Sequence, residues 1–300
     1  MPEGHVIHAL ARELNQHFAG KALRVTSPQG RFAEEAGRLT GDLLDHAEAW
    51  GKHLFLEFGN PHNPNRRADH IVHIHLGLIG TMKIEPFTTG DPVGQVRLHL
   101  HRIDAEGGED MCTWGNAVEA NLRGPQWCRL ITAQEKDVAL AKLGPDPLRS
   151  TDPEVDEDNA DKLQELNRFL GQSRRTIGSI LMDQSRYAGV GNIYRAETLF
   201  RLGIHPELPA NRLASEEKKA IWDDLVELMA AGEKSGRIDT VRPEHTPEAM
   251  GRQPRKDDHG GEVYVYRREG LPCFICGTPI AHRVVEGRNL FWCPGCQPQA

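Results

Sequence analysis

Four cysteines close the chain as two matched pairs, Cys273-x2-Cys276 and Cys293-x2-Cys296, with 16 residues between the pairs. Each CxxC can chelate from a tight knuckle, and the interval suits a β-hairpin that folds one pair onto the other. Four thiolates then give a tetrahedral Zn2+ site with no open position, a structural rather than a catalytic metal. A redox CxxC pair or two disulfides would use the same residues. The polar, charge-broken start MPEGHVIHALARELNQHF carries no export signal, and that together with the matched spacing favours zinc. A hairpin of this size has little core of its own, so the metal is needed for its fold. Its tip would present Gly287, Arg288 and Asn289, and an arginine there suits a bidentate phosphate contact as well as it suits a solvated turn.

A second group of residues lies in QSRYAGVGNIYR at 184–195, where Gly189 and Gly191 directly precede a helix start. Backbone N–H groups at such an end form an anion site, which Asn192 can reinforce as a side-chain donor. A tight turn between helices also needs glycine, so this motif is weak by itself. His73 with His75, and His99 with His101, alternate on one face of a strand. A metal could use them, but no third ligand is placed by the sequence, and they read as structural or surface histidines. Cys112 and Cys128 read as inert core thiols.

The elements that hold these groups are legible from periodicity. Ile7, Leu10, Leu14 and Phe18 recur at helical spacing and Gly20 is a natural stop. Leu54, Leu56 and Phe58, then Val96, Leu98 and Leu100, alternate as strands do, and the glycine and proline breaks between them make 20–132 an antiparallel β module, sandwich or barrel. A hinge, LGPDPL at 143–148, leads into the acidic segment 151–160. The period then becomes helical. Leu163, Leu166 and Leu170 share one face, Ile177, Ile180 and Leu181 another, and Ile193, Ala196 and Phe200 a third. A further helix begins at Ser215 as N-cap, with Glu216 and Glu217 in its first turn and Ile221, Leu225 and Leu228 inward. Residues 242–262 are rich in proline, glycine and charge and read as a mobile loop.

The 300 residues are about twice the usual single-domain length. Hydrophobic residues make up 38%, near the globular average once glycine is included, which excludes wholesale disorder. A mean hydropathy of −0.53 and the lack of a long apolar run exclude a transmembrane span. With 36 basic against 43 acidic side chains the net charge is −7, which taken whole argues against a polyanion partner. The excess is local, however. Residues 151–160 hold five acids and no base, whereas 161–205 hold seven bases and four acids.

Taken together, the opening Met1-Pro2-Glu3-Gly4, the QSRYAGVGNIYR turn, LGPDPL and the tail YVYRREGLPCFICG…VVEGRNLFWCPGCQ resemble the formamidopyrimidine-DNA glycosylase/endonuclease VIII family in order and across nearly the whole chain. The resemblance implies an α+β multidomain fold: an N-terminal β-sandwich with flanking helices (1–134), a hinge and acidic linker (135–160), a helix–two-turn–helix domain (161–241), and a loop with a C-terminal zinc β-hairpin (242–300). It implies DNA in the cleft between domains. It also implies that Pro2, once Met1 is removed, is the nucleophile. The chemistry is sound, because a free N-terminal amine titrates near pH ~8 rather than at the ~10.4 of lysine, and a helix N-terminus disfavours the ammonium further. Attack of a secondary amine on the sugar C1′ gives an iminium, the electron sink for base loss and β-elimination. Glu3 would then move protons.

By the same resemblance Lys52, in the loop before LFLEF, is a proton donor and phosphate contact; Asn192 binds phosphate; Arg288 binds phosphate and assists δ-elimination; Lys142 is a basic DNA contact. Extruding a base leaves a gap in the stack, and Leu78 matches the family's wedge. The D-x-R-R-F-G run of formamidopyrimidine-DNA glycosylases is absent; NLRGP at 121–125 offers Arg123 without the aromatic, and Leu290 stands where the family prefers a small residue. Gly4 and the missing run point to endonuclease VIII-like members. The expected protein is a bifunctional glycosylase/AP lyase acting on oxidised pyrimidines in double-stranded DNA with a damaged base or abasic site. It would carry one structural Zn2+ and no organic cofactor, as a cytoplasmic, nucleoid-associated monomer with no membrane partner. A purine-type (formamidopyrimidine/8-oxoguanine) glycosylase, a catalytically silent zinc-dependent damage binder, and a zinc-ribbon module on an unrelated core are the alternatives. The last leaves the Pro2-Glu3 start unexplained.

Overall fold

A computed structural model describes residues 2–59, 70–90, 92–105, 117–256 and 261–299. Cys112 lies outside them. The chain forms two compact units, one built on Val6–Lys142 and the other on Leu143–Ala300 together with Glu3–His5. Among the described residues no helix is long and apolar enough to cross a membrane.

In the first unit, helix α1 (Gly4–Phe18) buries the stripe Ile7, Leu10, Leu14 and Phe18, and Gly20 follows at φ 71°. Eight strands form two antiparallel sheets. One runs in the order β1 (Leu23–Thr26), β6 (Val96–Arg102), β7 (Val118–Arg123), β5 (Thr81–Pro86); the other runs β2 (Leu43–Trp50), β3 (His53–Gly59), β4 (Ile71–His75), β8 (Trp127–Ile131). Leu54, Leu56, Val72 and Ile74 of one sheet share a core with Leu98, Leu100, Ala120 and Leu122 of the other, a sandwich, as the family resemblance implied where alternation left sandwich and barrel open. Helix α2 (Ala33–Leu39) adds Ala36 and Leu39 to that core. The second sheet is covered on its other face too. There Phe55, Ile71 and Ile131 meet Ala139 and Leu140 of helix α3 (Ala133–Leu140). Thr132 and Glu135 start α3 with a reciprocal capping box, and the Lys136 ammonium sits between Glu48 and Glu57. Cys128 is buried, which pushes its thiol up to about 12 and suits an inert core residue.

The second unit is helical. Helices α4 (Glu157–Gln172), α5 (Ile177–Ile180), α6 (Asn192–Arg201), α7 (Ser215–Ser235) and α8 (Pro247–Met250) precede the hairpin β9 (Ala281–Val285) and β10 (Arg288–Trp292). Helix α6 is enclosed on all sides, with residues 192–200 all buried. Its Glu197 carboxylate, fully buried, accepts from the backbone N–H of Tyr264 (2.7 Å), Val265 (2.9 Å) and Tyr266 (2.9 Å) and from the Thr240 hydroxyl (2.6 Å). One carboxylate thus fixes the YVY stretch against α6.

Four local expectations change. The N-cap of α7 is Ala214 rather than Ser215, because the Glu217 carboxylate accepts from Ala214 N–H (2.8 Å) and needs no capping hydroxyl. The acidic segment 151–160 is helical from Glu157 on: Asp156 caps α4 by accepting from Asn159 N–H (3.1 Å), and its acids lie at the positive helix end. The segment 242–262 contains α8 and a 3-10 turn, Pro243–His245, while 257–260 lie outside the described residues. The LGPDPL segment is packed rather than loose: Gly144 N–H donates to Gln184 O (2.9 Å), Ala188 N–H donates to Pro145 O (3.0 Å), and a Cβ at residue 144 would collide with the Arg186 backbone.

Candidate active site

In the second unit the GVGN turn places Glu3. Its side chain is 1% exposed, and Oε1 accepts the N–H of Ile193 (3.1 Å) in the first turn of α6. The first turn of α6 thus holds one of the protein's own carboxylates, with Asn192 beside it. Gly191 has an extended backbone (φ −124°, ψ −167°) open to any residue, so it is needed for space: a Cβ there would overlap the Glu3 carboxyl group. Gly4 N–H donates to Gly189 O (2.9 Å), and a Cβ on Gly4 would sit 2.9 Å from the Gly189 Cα. The close glycine–glycine contact seats the residue after Glu3. Pro2 precedes Glu3 and is half-buried.

The same turn grips the hairpin. Asn192 Nδ2 donates to Asn289 O (2.9 Å), and Arg195 Nη2 donates to that oxygen (2.7 Å) and to Asn192 Oδ1. Arg288, next to the gripped residue, is exposed, while Leu290 is buried. Arg195 itself is 2% exposed; burial first, then the neighbouring Arg288 charge, pull it down to about 10. Glu3, Asn192, Arg195 and the Arg288 hairpin thus form one continuous cluster. Arg195 is the member that sequence reasoning missed, since an arginine inside a predicted helix carries no mark of burial.

The hairpin turns on Glu286 (φ 51°) and Gly287 (φ 73°), two consecutive left-handed residues that match a two-residue turn between β9 and β10. Below it the four Sγ atoms of Cys273, Cys276, Cys293 and Cys296 lie within 4.8 Å of one another. Cys273 to Cys296 is 3.8 Å and Cys276 to Cys293 is 3.4 Å. Zinc–sulfur bonds of ~2.3 Å in a tetrahedron require sulfur–sulfur edges near ~3.8 Å. The donor set fits one zinc.

In the first unit three turns carry the remaining candidates. Lys52, half-buried, is on the β2–β3 turn beside Gly51 (φ 59°). Leu78 is on the β4–β5 turn and is 72% exposed; its neighbour Ile79 is 84% exposed. Sequence reasoning passed over Ile79, although two aliphatics between Gly77 and Gly80 are an unusual surface. The turn is tightly built, because Gly77 is left-handed (φ 70°) and a Cβ on Gly80 would press into Leu76 O and lie 3.0 Å from Gly124 O. That last contact brings in the β7–β8 turn, which begins after Arg123. Arg123 pairs with Glu85 at 3.5 Å, and Gln126 N–H donates to His75 O (2.9 Å). Lys142 is exposed just beyond α3, apart in sequence from these turns.

The paired histidines lie on strands β4 and β6. His99 and His101 are buried, His99 lying 3.3 Å from the Thr26 hydroxyl and 3.5 Å from the Glu119 carboxylate. His73 is buried on β4, and His53 Nδ1 lies 2.8 Å from His73 Nε2.

The formamidopyrimidine-DNA glycosylase N-terminal domain model matches residues 1–114, and the formamidopyrimidine-DNA glycosylase H2TH domain model matches 143–242. Endonuclease 8 1 of Mycobacterium tuberculosis (strain ATCC 25618 / H37Rv) is 44% identical over 305 residues, covering 99% of this chain and 100% of the relative. The chain belongs to the formamidopyrimidine-DNA glycosylase/endonuclease 8 family. The formamidopyrimidine-DNA glycosylase of Methylococcus capsulatus is 30% identical over 310 residues, covering 99% of this chain and 100% of the relative. The crystal structure of Lactococcus lactis Fpg (MutM) with DNA containing N7-benzyl-Fapy-dG superposes with a TM-score of 0.71 at 22% identity, over 99% of this chain and 100% of that one, and shares its fold. As a family member the protein is an enzyme, a DNA glycosylase/AP lyase of base excision repair.

Proposed function

We propose that this enzyme removes oxidised pyrimidines from double-stranded DNA and cleaves the strand through a Schiff base on Pro2. The observation that carries this reading is the seat of Glu3, a desolvated carboxylate held at the α6 N-terminus immediately after the nucleophile. With Met1 removed, the Pro2 nitrogen donates its lone pair to the sugar C1′. The glycosidic bond breaks, and the damaged base leaves with that bond's electron pair and a proton from Lys52. The Glu3 carboxylate takes the proton lost by the Pro2 nitrogen and passes it to the sugar ring oxygen as the ring opens, giving a C1′ iminium. Glu3, again a carboxylate, then takes the C2′ proton; the C2′–H electrons flow to the iminium, and the resulting enamine expels the 3′ phosphate (β-elimination), after which a second elimination expels the 5′ phosphate.

Lys52 supplies a proton and a phosphate contact near the lesion. Asn192 and Arg288 bind the backbone phosphate, Arg288 also serving δ-elimination, and Lys142 adds a DNA contact. Leu78 and Arg123 fill the void left by the extruded base. The domains are those of the family: catalysis in 1–134, a connecting segment 135–160, helical DNA binding in 161–241, and the zinc hairpin in 242–300. Cys273, Cys276, Cys293 and Cys296 hold one Zn2+, which supplies rigidity to the hairpin and no chemistry to the reaction. No organic cofactor is needed, and the enzyme works as a monomer on nucleoid DNA in the cytoplasm. The pyrimidine preference is supported by 44% identity to an endonuclease 8 against 30% to a formamidopyrimidine-DNA glycosylase, by Gly4, and by the missing D-x-R-R-F-G run. A purine preference is the second reading, which the relatives named for formamidopyrimidine support.

The test is borohydride trapping. The Met1-processed protein with abasic-site or thymine-glycol DNA yields a covalent adduct that disappears when the Pro2 amine is blocked; no adduct, or an undiminished one after blocking, overturns the mechanism. Excision of 5-hydroxyuracil in preference to 8-oxoguanine opposite cytosine decides the substrate class.

A further inference from the structure

The largest set of chemistry-bearing side chains left outside this mechanism is on the outer face of the β2-β3-β4-β8 sheet. His53, the first residue of β3, follows Lys52 directly and pairs in register with His75, while Phe55 pairs with His73. The imidazoles of His53 and His73 lie nearly coplanar and edge to edge, centroids 5.1 Å apart at 20°, with Nδ1 of His53 2.8 Å from Nε2 of His73. Phe55 stacks on His73 at 4.6 Å, and Trp127 stacks on His75 at 4.5 Å with Arg129 over its ring. The array ends on the wedge turn, where Gly77 N–H donates to His75 Nδ1 (3.1 Å). A contiguous array of rings, with His53 edge-on to His75 (5.2 Å, 74°), therefore joins the turn of Lys52, the turn of Leu78 and Ile79, and Trp127 at the start of β8.

A role in packing alone would be met by leucine or phenylalanine. A hydrogen bond between two imidazoles requires one ring to donate and the other to accept, which fixes both ring rotations and both tautomers. Burial, the neighbouring rings and Lys52 all disfavour a proton on His53; burial, His75 and Arg129 do so on His73. Burial and Lys52 disfavour one on His75, against a hydrogen bond with Gln126. The pair is held neutral and directional beside a cationic lysine.

We infer that the His53–His73 hydrogen bond is a positioning device for Lys52, locking its turn to the turn that carries Leu78 and Ile79. The inference rests on the assignment of Lys52 to catalysis above. Neither histidine touches substrate; each acts through Lys52.

The test is a double-mutant cycle in single-turnover excision with the full-length zinc-loaded protein. His73→Leu keeps the packing and deletes the bond. His73→Gln keeps an amide where Nε2 lies, and His53→Asn keeps one where Nδ1 lies. His73→Leu is expected to lower kcat ~10-fold or more with KM and Tm near wild type, His73→Gln and His53→Asn to restore most of it, and His73→Leu to cost less than ~2-fold once Lys52→Ala is present. Should His73→Leu not fold, His73→Asn, whose amide is too short to reach His53, replaces it. A wild-type rate for the bond-deleting variant, equal losses with and without Lys52, or no rescue by His73→Gln overturns the inference. Full activity in Lys52→Ala alone instead identifies the Lys52 assignment as the error.

Discussion

The Glu3 carboxylate accepts the Ile193 N–H at 3.1 Å across 190 residues of sequence, in a space that exists only because residue 191 has no Cβ. The backbone at Gly191 is extended, so alanine there is conformationally allowed, and the atoms its Cβ meets first all belong to the Glu3 carboxyl group. Gly191→Ala therefore separates the acid from the fold. Base excision is expected to fall by ~10²-fold or more, the range of a lost general acid, while zinc content stays unchanged and circular dichroism remains native. Single-turnover excision measured beside a thermal melt checks this; a Gly191→Ala enzyme with wild-type excision would show that Glu3 need not sit on α6.

Leu78 and Ile79 are 72% and 84% exposed between two constrained glycines. Large aliphatics held rigidly in water suit insertion into a base stack, where extruding a nucleotide costs a few kcal/mol. Their truncation should leave the fold alone, because exposed substitutions usually stay within ~0.5 kcal/mol. The double variant Leu78→Ala/Ile79→Ala is expected to bind duplex abasic-site DNA ~10-fold or more weakly and to bind a single-stranded abasic oligonucleotide like wild type. Equal losses on duplex and single strand would show that these residues contact backbone rather than fill a void.

What the sequence made legible follows the range of the interaction. The stripe Ile7, Leu10, Leu14 and Phe18 is a period-3.6 signal inside one helix, and the inward residues of β3 and β6 follow from alternation inside single strands, which by itself left sandwich and barrel open. The CxxC pairs are local chelators whose spacing already implied the hairpin that unites them. The GVGN turn was equally visible, but its tenant was not, because Glu3 reaches it from the other end of the chain. The His53–His73 bond depends on the β3–β4 register, which single-strand patterns do not specify. Arg195 looks like any helical arginine until the hairpin carbonyl it holds is known. The N-cap of α7 shifted by one residue because a glutamate carboxylate three positions on did the work of the expected serine.

Removing the metal should act through the hairpin. In strands β9 and β10 only Leu290 and Phe291 are buried, and without the metal four thiolates within 4.8 Å of one another would repel. Fresh protein is expected to contain one zinc per chain on the four cysteines. Chelation, or Cys276→Ser, should abolish DNA binding while the Val6–Lys142 sandwich keeps its β circular dichroism. Arg288→Ala in the zinc-loaded enzyme should leave Schiff-base trapping intact and shift product from the δ- to the β-eliminated end. Metal analysis well below one zinc per chain refutes the site, and an unchanged product ratio refutes the role of Arg288.

The histidine array also sets a pH limit on stability. Burial holds His53 at about 3 and His73 at about 4 in the folded protein, against 6.5 when unfolded. Between these values the unfolded chain binds more protons than the folded one, so stability rises with pH there and is lost as pH falls below ~6.5. Above ~6.5 both states are neutral at these positions and the contribution is constant. His53 is half-buried and partly screened by solvent, so together the two histidines lose on the order of 2 kcal/mol of stability between pH 6.5 and 4.5. Thermal melts across that window should show Tm falling in wild type. The fall should be shallower in His53→Asn/His73→Gln, which keeps the amide contacts but cannot titrate. Identical slopes in the two proteins would assign the acid sensitivity to other groups.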